Sequence, residues 1–234
     1  MDLNELGWSI DGLRGQFVVL DGPDGAGKTT VGKAVSTRLQ AAGLRVTTCR
    51  DPGGTAIGDR IRSVLLDHDL TDMDVRCEIL LFMASRAQLV KEVIAPALAN
   101  RDFVLSDRFV SASCAYQVAC GANIEDVLDL ARVAVGETWP ALTIILDVPA
   151  DRGFERIGKN RIDSATSSPS LDGMERRPMD FHVRVRQNFL SLQDRYPGAV
   201  QVVDATQSLD RVVDDVLGHI GRLAASNGDT IHGD

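Results

Sequence analysis

Short apolar segments alternate with stretches of helical periodicity along most of this chain. Each apolar segment is flanked by polar residues or glycine, which is typical of buried strands. Five segments fit this description, at residues 17–20, 45–49, 103–106, 142–148 and 200–203. Because strands that alternate with helices form a parallel sheet between helical layers, the pattern predicts an α/β fold with a five-stranded parallel sheet.

The helical stretches carry one apolar face each. Val31, Val35 and Leu39 recur at helical spacing until Gly43 supplies a stop signal. A second set with the same spacing lies near the end of the chain: Leu209, Val212, Val213, Val216, Leu217 and Ile220. We expect these faces to pack against the sheet.

A single domain accounts for the pattern, because no internal repeat or shift in composition marks a boundary. We expect an N-terminal extension at residues 1–15, one domain at 16–223 and a disordered tail at 224–234. The polar segment between Gly158 and Arg177 is rich in Ser and interrupted by Pro and Gly. It predicts a flexible loop, a lid at about residues 158–178.

Composition and charge exclude several classes of protein. Of the 234 residues, 44% are hydrophobic and 25% charged, as in an ordinary globular domain. The net charge of −8 argues against a nucleic-acid polymer or an anionic membrane as the main partner. No stretch approaches the ~20 apolar residues of a membrane span. Residues 1–15 do not resemble a secretory signal, so a cytoplasmic location is expected.

The cysteines suggest neither a zinc site nor a disulfide framework. Their spacing is irregular and contains no C-x2-C pair, so we expect reduced thiols. The four positions are Cys49, Cys77, Cys114 and Cys120.

A glycine-rich motif follows the first predicted strand. Residues 22–29 read GPDGAGKT and fit G-x-x-x-x-G-K-[ST] ahead of a helix, the pattern of a P-loop. Such a loop turns backbone N–H groups toward phosphate oxygens, while Lys28 reaches the terminal phosphates and the Thr29 hydroxyl can bind Mg²⁺. The motifs N-K-x-D and L-S-G-G-Q are absent. These features favour a phosphotransferase with a small acceptor over a switch or a transporter ATPase.

Asp107 and Arg108 follow the third predicted strand. The carboxyl ends of parallel strands are where ligands of such sheets collect. Asp107 can hold Mg²⁺ through water, and Arg108 can bind phosphate through two hydrogen bonds. The alternative for this pair is a surface ion pair.

Five motifs occur along the chain in order: DGPDGAGKTT, RDPGGTAIGDRIR, LLFMASRAQLV, DRFVSASCAYQ and PALTIILDVP. Together they resemble the bacterial thymidylate kinases, a family of P-loop nucleoside monophosphate kinases, from about residue 17 to residue 220. The resemblance implies a three-layer α/β/α P-loop NTPase fold with a flexible lid. It also implies ATP-dependent, Mg²⁺-dependent phosphorylation of dTMP to dTDP for dTTP biosynthesis, by a homodimer.

The resemblance implies roles for residues on the donor side. Asp24, Lys28 and Arg108 become catalytic, and Thr29 and Asp107 become the metal-binding residues. The implied ATP-binding residues are Gly22, Pro23, Asp24, Gly25, Ala26, Gly27, Lys28, Thr29 and Thr30.

On the acceptor side, Phe82 and Arg86 lie four residues apart and share one helix face. The resemblance implies that Phe82 stacks on thymine while Arg86 donates to a base carbonyl. Taken without it, Phe82 is an apolar core residue. The resemblance also implies that Tyr116 crowds the 2′ position of the sugar. The full implied acceptor-binding set is Arg62, Phe82, Arg86, Arg108, Ser113, Tyr116 and Gln117.

The lid departs from the family pattern. Family members without a basic residue after the P-loop Asp supply a catalytic arginine from the lid, and Gly25 places this chain among them. Arg156 and Arg161 are the candidates, with Arg176 and Arg177 as alternates. Solubilising charges on a loop are the alternative.

Three acceptor-side positions also differ from the family. Asp51 stands where Glu is common, Phe109 where Tyr is frequent, and Ala112 where a Ser is usual. These differences bear on base selectivity. They leave open a kinase for another pyrimidine nucleoside monophosphate, or a P-loop module that binds nucleotide without turnover.

Overall fold

The computed structural model describes residues 10–67, 69–70, 72–163 and 177–228, with the side chains of residues 159–163 and 226–228 outside that description. The described strands form one parallel sheet in the order β2-β3-β1-β4-β5. They are β1 (Phe17–Asp21), β2 (Val46–Arg50), β3 (Phe103–Asp107), β4 (Leu142–Asp147) and β5 (Ala199–Asp204). The predicted α/β fold and five-stranded parallel sheet are confirmed.

Helices connect the strands and cover both faces of the sheet. They are α1 (Lys28–Ala41), α2 (Ala56–Leu65), α3 (Val75–Leu89), α4 (Ala95–Ala99), α5 (Val110–Ala119), α6 (Ile124–Val135), α7 (Ala150–Asp163), α8 (Met179–Arg195) and α9 (Leu209–Gly228). A 3-10 turn at Ile10–Leu13 precedes β1, and a π-helical turn at Val90–Ile94 joins α3 to α4. Within the described ranges, none of these helices combines the length and the apolar character needed to cross a bilayer.

Alternation along the strands divides the core into two layers. On β1, Val18 and Leu20 join one apolar cluster, while Phe17 and Val19 join the other. Helices α1 and α9 complete the first cluster, and α3, α5, α6 and α8 complete the second. Successive side chains of a strand point to opposite faces, so the fully buried strand β1 must be apolar on both sides.

Helix α1 begins differently from its neighbours. The side chains of Thr55, Asp74 and Asn123 each accept a backbone N–H at the start of α2, α3 and α6, at 2.9 Å. Helix α1 instead follows Gly27, which has φ +88° and makes no side-chain cap. Unsatisfied N–H groups at a helix start attract anions, so this end of α1 suits a phosphate.

Both predicted chain-terminal boundaries differ from the structure. Leu13, placed in the N-terminal extension, is fully buried beside α9. A Cβ on Gly12 would lie 2.6 Å from the carbonyl oxygen of Ala224. Helix α9 runs on to Gly228, and Ala224 is buried, so the tail does not start at residue 224. The contact between two distant chain segments decides these boundaries, and local composition does not report it.

The lid prediction is wrong at its first residues. Helix α7 continues through residues 158–163, where a loop was expected. Gly158 is the only helix breaker in that stretch, and a single internal glycine costs about 1 kcal/mol relative to alanine. Residues 164–176 of the predicted lid lie outside the described residues, and α8 starts at Met179.

Leu13→Ala tests whether the 3-10 turn belongs to the core. We expect it to lower the free energy of unfolding by about 2–5 kcal/mol, since it opens a cavity between the turn and α9. Leu70→Ala is the matched control, because Leu70 is 49% exposed and its truncation should change stability by no more than about 0.5 kcal/mol. Urea titration of both variants measures the difference. Equal losses would mean that the turn contributes nothing to the core.

Candidate active site

The carboxyl ends of β1, β2 and β3 meet at one edge of the sheet. Leu20 and Arg50 both lie opposite Asp107 in the strand register. A cavity of about 650 Å³ opens above these ends, and it is the larger of the two cavities that both Asp24 and Arg108 line. Its walls include residues 24–31 of the P-loop and α1, together with Arg50, Asp51, Arg62, Asp107, Arg108, Arg156, Ile157, Ala205, Gln207, Leu209 and Val212.

The P-loop wraps around the ammonium group of Lys28. Its Nζ donates to the carbonyl oxygens of Gly22 and Pro23, both at 2.9 Å. Burial, helped by the nearby Arg108, lowers the pKa of Lys28 to about 8, although Asp24 and Asp21 act in the opposite direction. A Cβ on Gly22 would lie 2.3 Å from the Leu146 carbonyl oxygen, so the loop can leave β1 only at a glycine.

Thr29 and Asp107 form an oxygen pair at the mouth of the loop. The Thr29 hydroxyl donates to Asp107 Oδ2 at 2.6 Å. Among the described residues, no group of three or more His, Cys, Asp or Glu side chains is gathered for a metal. Mg²⁺ commonly takes one or two protein oxygens and completes its shell with phosphate and water, so this pair fits that ion.

Arg108 is fixed between two acidic residues and an aromatic ring. Its Nη2 donates to Asp24 Oδ1 at 2.5 Å and to the Tyr116 hydroxyl at 3.4 Å, and its guanidinium lies 5.0 Å from the Tyr116 ring centroid. Its φ of +69° is rare outside glycine. Ser106 Oγ donates to its carbonyl oxygen at 2.7 Å and supports that backbone. Although burial raises it, the pKa of Asp24 is held below its usual value by Arg108 and Lys28.

Asp21 joins the P-loop to Arg108 beneath the cavity. This fully buried carboxylate accepts from the Gly22 N–H at 2.9 Å and from the Ser111 hydroxyl at 2.6 Å. Arg108 Nη1 lies 3.6 Å from Asp21 Oδ1. Burial raises the pKa of Asp21, and Arg108 opposes that rise. One acidic side chain therefore holds the loop, α5 and the guanidinium together.

A smaller cavity of about 230 Å³ adjoins the larger one. Three of the buried polar atoms on its lining residues have no hydrogen-bond partner in the described structure: Asp51 Oδ1, Arg86 Nη2 and Ser113 Oγ. Each such atom costs about 1–3 kcal/mol when it stays unpaired, so a water or a polar ligand group that bonds it is favoured. The lining is Asp24, Asp51, Pro52, Arg62, Leu66, Phe82, Arg86, Arg108, Ala112, Ser113, Tyr116 and Gln117.

The Asp51–Arg86 ion pair anchors the floor of the smaller cavity. Both side chains are fully buried, and Arg86 Nε donates to Asp51 Oδ2 at 2.6 Å. The Arg86 guanidinium lies 5.7 Å from the ring centroid of Phe82, which is half-buried. An aromatic face and a fixed guanidinium therefore border the same small space, which suits a planar ring with carbonyl groups.

Arg156 reaches the larger cavity from α7. Its guanidinium donates to the Ala205 carbonyl oxygen at 2.8 Å and to that of Gly25 at 3.5 Å. Helix α8 is tied to the end of β4 by a two-fold contact, in which Arg186 Nε and Nη2 bind the two oxygens of Asp147 at 2.7 and 2.8 Å. The helices on both sides of the predicted lid are thus fastened to the sheet edge.

Comparison with known proteins identifies the family. The family model described as thymidylate kinase matches residues 20–216. A thymidylate kinase of Lactobacillus delbrueckii subsp. bulgaricus is 41% identical over 203 residues, covering 86% of this chain and 93% of that protein. One of Clostridium novyi is 35% identical over 208 residues, with 88% and 98% covered. The chain belongs to the thymidylate kinase family.

Nearly all the donor-side residues expected from the sequence lie together in one cavity. Asp24, Gly25, Ala26, Gly27, Lys28, Thr29, Thr30, Asp107, Arg108 and Arg156 all line the larger cavity. Gly22 and Pro23 form the start of the loop and bind Lys28 through their carbonyl oxygens.

Every acceptor-side residue expected from the sequence lines the smaller cavity: Arg62, Phe82, Arg86, Arg108, Ser113, Tyr116 and Gln117. Arg62 borders both cavities and donates to the Pro52 carbonyl oxygen at 2.9 Å.

The candidate lid arginines besides Arg156 are Arg161, Arg176 and Arg177. Arg177 lies 5.4 Å from the Phe181 ring centroid and lines neither cavity. The side chain of Arg161 and all of Arg176 lie outside the described residues.

The sequence patterns assigned no role to two acidic side chains of the site. Asp21 ends an otherwise apolar strand directly before the P-loop, and a carboxylate in that position was the feature by which it could have been found. Asp51 was noted only as a shorter replacement for Glu. Its pairing with Arg86 joins residues 35 apart, which no local pattern reports.

ATP affinity should fall as the pH rises from 7.5 to 9.5. The ligand-free protein loses the Lys28 ammonium above pH 8, since its pKa is about 8. Bound phosphate favours the charged form, so binding takes up a proton and affinity drops by up to about tenfold per pH unit above that pKa. Calorimetry with an ATP analogue in two buffers of different ionisation heat measures both effects. Lys28→Met is the control without the titrating group, and a wild-type protein with the same flat profile would contradict the prediction.

Proposed function

We propose that this protein transfers the γ-phosphoryl group of ATP to the phosphate of dTMP, giving dTDP and ADP. The supporting observation is that the two cavities share a wall. Asp24, Asp51, Arg62 and Arg108 line both of them. A donor phosphate on the P-loop and an acceptor phosphate beside Arg62 would meet there, between two guanidinium groups.

The larger cavity suits ATP. Its phosphate end is built from the P-loop, the start of α1 and the Lys28 ammonium. Away from the loop, the walls turn to Arg156, Leu209 and Val212, which offer a cation and apolar side chains to an adenine ring. The change from charged to apolar walls matches the change from triphosphate to base along the nucleotide.

The smaller cavity suits a pyrimidine. Its volume of about 230 Å³ lies below the ~300 Å³ at which pockets for drug-sized ligands begin, so a single ring is favoured. Arg86 Nη2 would donate to a base carbonyl, and the face of Phe82 would stack on the ring. Tyr116 is buried against Arg108, beside the place where a sugar would join base and phosphate.

The transfer needs positioning and charge neutralisation. The acceptor phosphate is already ionised at neutral pH, so no general base is required. Lys28 would hold the terminal phosphates of ATP, and Arg108 would bind the transferring group from its clamp between Asp24 and Tyr116. Arg156 and Arg161 on α7 are the proposed lid cations. Mg²⁺, held by Thr29 and through water by Asp107, would neutralise charge on the donor phosphates.

Base selectivity is the point on which a second candidate depends. Phe109 does not line the smaller cavity: it is fully buried, with its ring centroid 5.1 Å from that of Phe17 and 5.9 Å from the Arg86 guanidinium. Ala112 does line the smaller cavity. The hydroxyl missing from that wall is the observation behind the second candidate function, phosphorylation of another pyrimidine monophosphate.

Family resemblance also supports a homodimer in the cytoplasm that supplies dTDP for dTTP synthesis. Leu80 on α3 and Val133 on α6 are 54% and 86% exposed in the single chain. Helices α3 and α6 pack against each other, and each carries one of these exposed apolar side chains.

An ADP-release assay with ATP and Mg²⁺ tests the function directly. The acceptors are dTMP, dUMP, UMP, CMP, AMP and GMP, and Lys28→Ala is the blank. We expect strong preference for dTMP, because Arg86, Ser113 and Phe82 match a pyrimidine and Tyr116 disfavours ribose. Comparable rates with dUMP would support the second candidate. A folded protein that binds ATP and turns over none of these acceptors would refute the proposed activity.

Arg108→Ala should lower kcat/KM by several orders of magnitude while the fold survives, since the guanidinium stabilises charge that develops in transfer. Circular dichroism checks the fold, and steady-state kinetics with dTMP measures the loss. Arg184→Ala is the control: Arg184 makes an exposed ion pair with Asp180 on α8 and lines neither cavity. Near-normal turnover by folded Arg108→Ala would remove Arg108 from the mechanism.

A further inference from the structure

Helix α7 lies directly on the P-loop through two glycines. A Cβ on Gly25 would lie 2.1 Å from the Gly153 carbonyl oxygen, and a Cβ on Gly153 would lie 2.4 Å from the Asp24 carbonyl oxygen. Real Cβ atoms essentially never approach another heavy atom within 3.0 Å. Both obstacles are backbone atoms, which cannot rotate aside as a side chain can.

This contact sets the position of Arg156. Arg156 follows Gly153 by three residues, so it lies about one turn further along α7. Its guanidinium reaches the carbonyl oxygens of Gly25 and Ala205, two residues that line the larger cavity. The bond to the Gly25 carbonyl oxygen is already 3.5 Å long. A separation of about 3.6 Å no longer makes a hydrogen bond, so the distance of α7 from the loop decides whether Arg156 keeps this contact.

We propose that Gly153 is a positioning residue of the donor site: it lets α7 contact the P-loop backbone and so holds Arg156 against bound ATP. The inference deepens the proposed function and rests on it. Any side chain at 153 must push α7 away from Asp24, by about 1 Å for a methyl group to regain ordinary contact. Most of the smaller cavity is walled by residues outside the P-loop, and Asp24 is the P-loop residue that lines it, so dTMP binding should depend on this contact much less than ATP binding does.

Gly153→Ala and Gly158→Ala form a matched pair. Both glycines lie in α7, and alanine is the better helix former at each position. A Cβ on Gly158 would meet nothing within 4 Å, whereas one on Gly153 meets the P-loop backbone. The gain in helix propensity is therefore the same in the two variants, and they differ only in the contact with the loop.

We expect Gly153→Ala to lose about 100-fold in kcat/KM for ATP, the scale of a 1 Å misplacement near a reacting group. Its Kd for dTMP should stay within about twofold of wild type, and Gly158→Ala should keep wild-type values throughout. Steady-state kinetics and calorimetry supply the three quantities. Wild-type kcat/KM for ATP in Gly153→Ala would overturn the inference, as would an equal loss in Gly158→Ala.

A double-mutant cycle tests whether Gly153 acts by positioning Arg156. If Gly153 acts by holding Arg156, then Arg156→Ala loses as much as Gly153→Ala, and the double variant loses no more than either. Additive losses would show that Gly153 acts elsewhere. Should Gly153→Ala fail to fold, Arg156→Ala alone still decides: an unchanged KM for ATP in that variant overturns the inference.

Calorimetry with ATP keeps this test separate from the proposed function. If wild type fails to phosphorylate dTMP, the proposed function is wrong. The Kd for ATP of wild type, Gly153→Ala and Gly158→Ala still reports on Gly153, because nucleotide binding does not require turnover. A weaker Kd in Gly153→Ala alone supports the positioning role, and equal Kd values for all three proteins refute it.

Discussion

Compensation of buried charge at the end of β1 is the constraint on which the rest of the site depends. Lys28 and Arg108 are cations held among apolar strands, and isolated buried charges are costly unless they are paired. Asp21 and Asp24 pair with Arg108, with Asp21 also binding the Gly22 amide and Ser111, and the carbonyl oxygens of Gly22 and Pro23 accept from Lys28. These contacts keep the two cations in place before any nucleotide arrives. A polyanion can therefore meet groups that are already oriented, with little rearrangement of the protein.

On the acceptor side, the buried charges are paired but not fully hydrogen-bonded. Its ion pair between Asp51 and Arg86 is fully buried, yet each partner keeps one polar atom without a hydrogen bond. Incomplete satisfaction is unfavourable for the free protein, and a base with matching donors and acceptors would remove the cost. Discrimination among bases then comes from the fit to these few atoms, since a site built to bind a given polar group rejects a ligand that lacks it.

Much of this site was predictable because its residues lie next to strand ends. The P-loop follows β1 and Asp107–Arg108 follows β3, so a parallel sheet brings them to one edge once the strands are recognised. Phe82 and Arg86 are joined by helical spacing. All of these residues could be predicted from the sequence, and the family resemblance implied their roles. The role of Asp21 as the link between loop and arginine could not, because its partners Arg108 and Ser111 lie about 90 positions further along the chain.

Local periodicity and the glycine-rich motif determined the strands, the helices flanking them and the phosphate-binding end of α1, since these depend on residues close together in the chain. Tertiary packing decided the rest. Leu13 and Ala224 enter the core only because two distant segments pack together. The close approach of Gly153 to Asp24, and with it the place of Arg156, depends on how α7 docks on the sheet edge. Contacts between residues more than a hundred positions apart leave no trace in a local pattern, so only the folded chain reveals them.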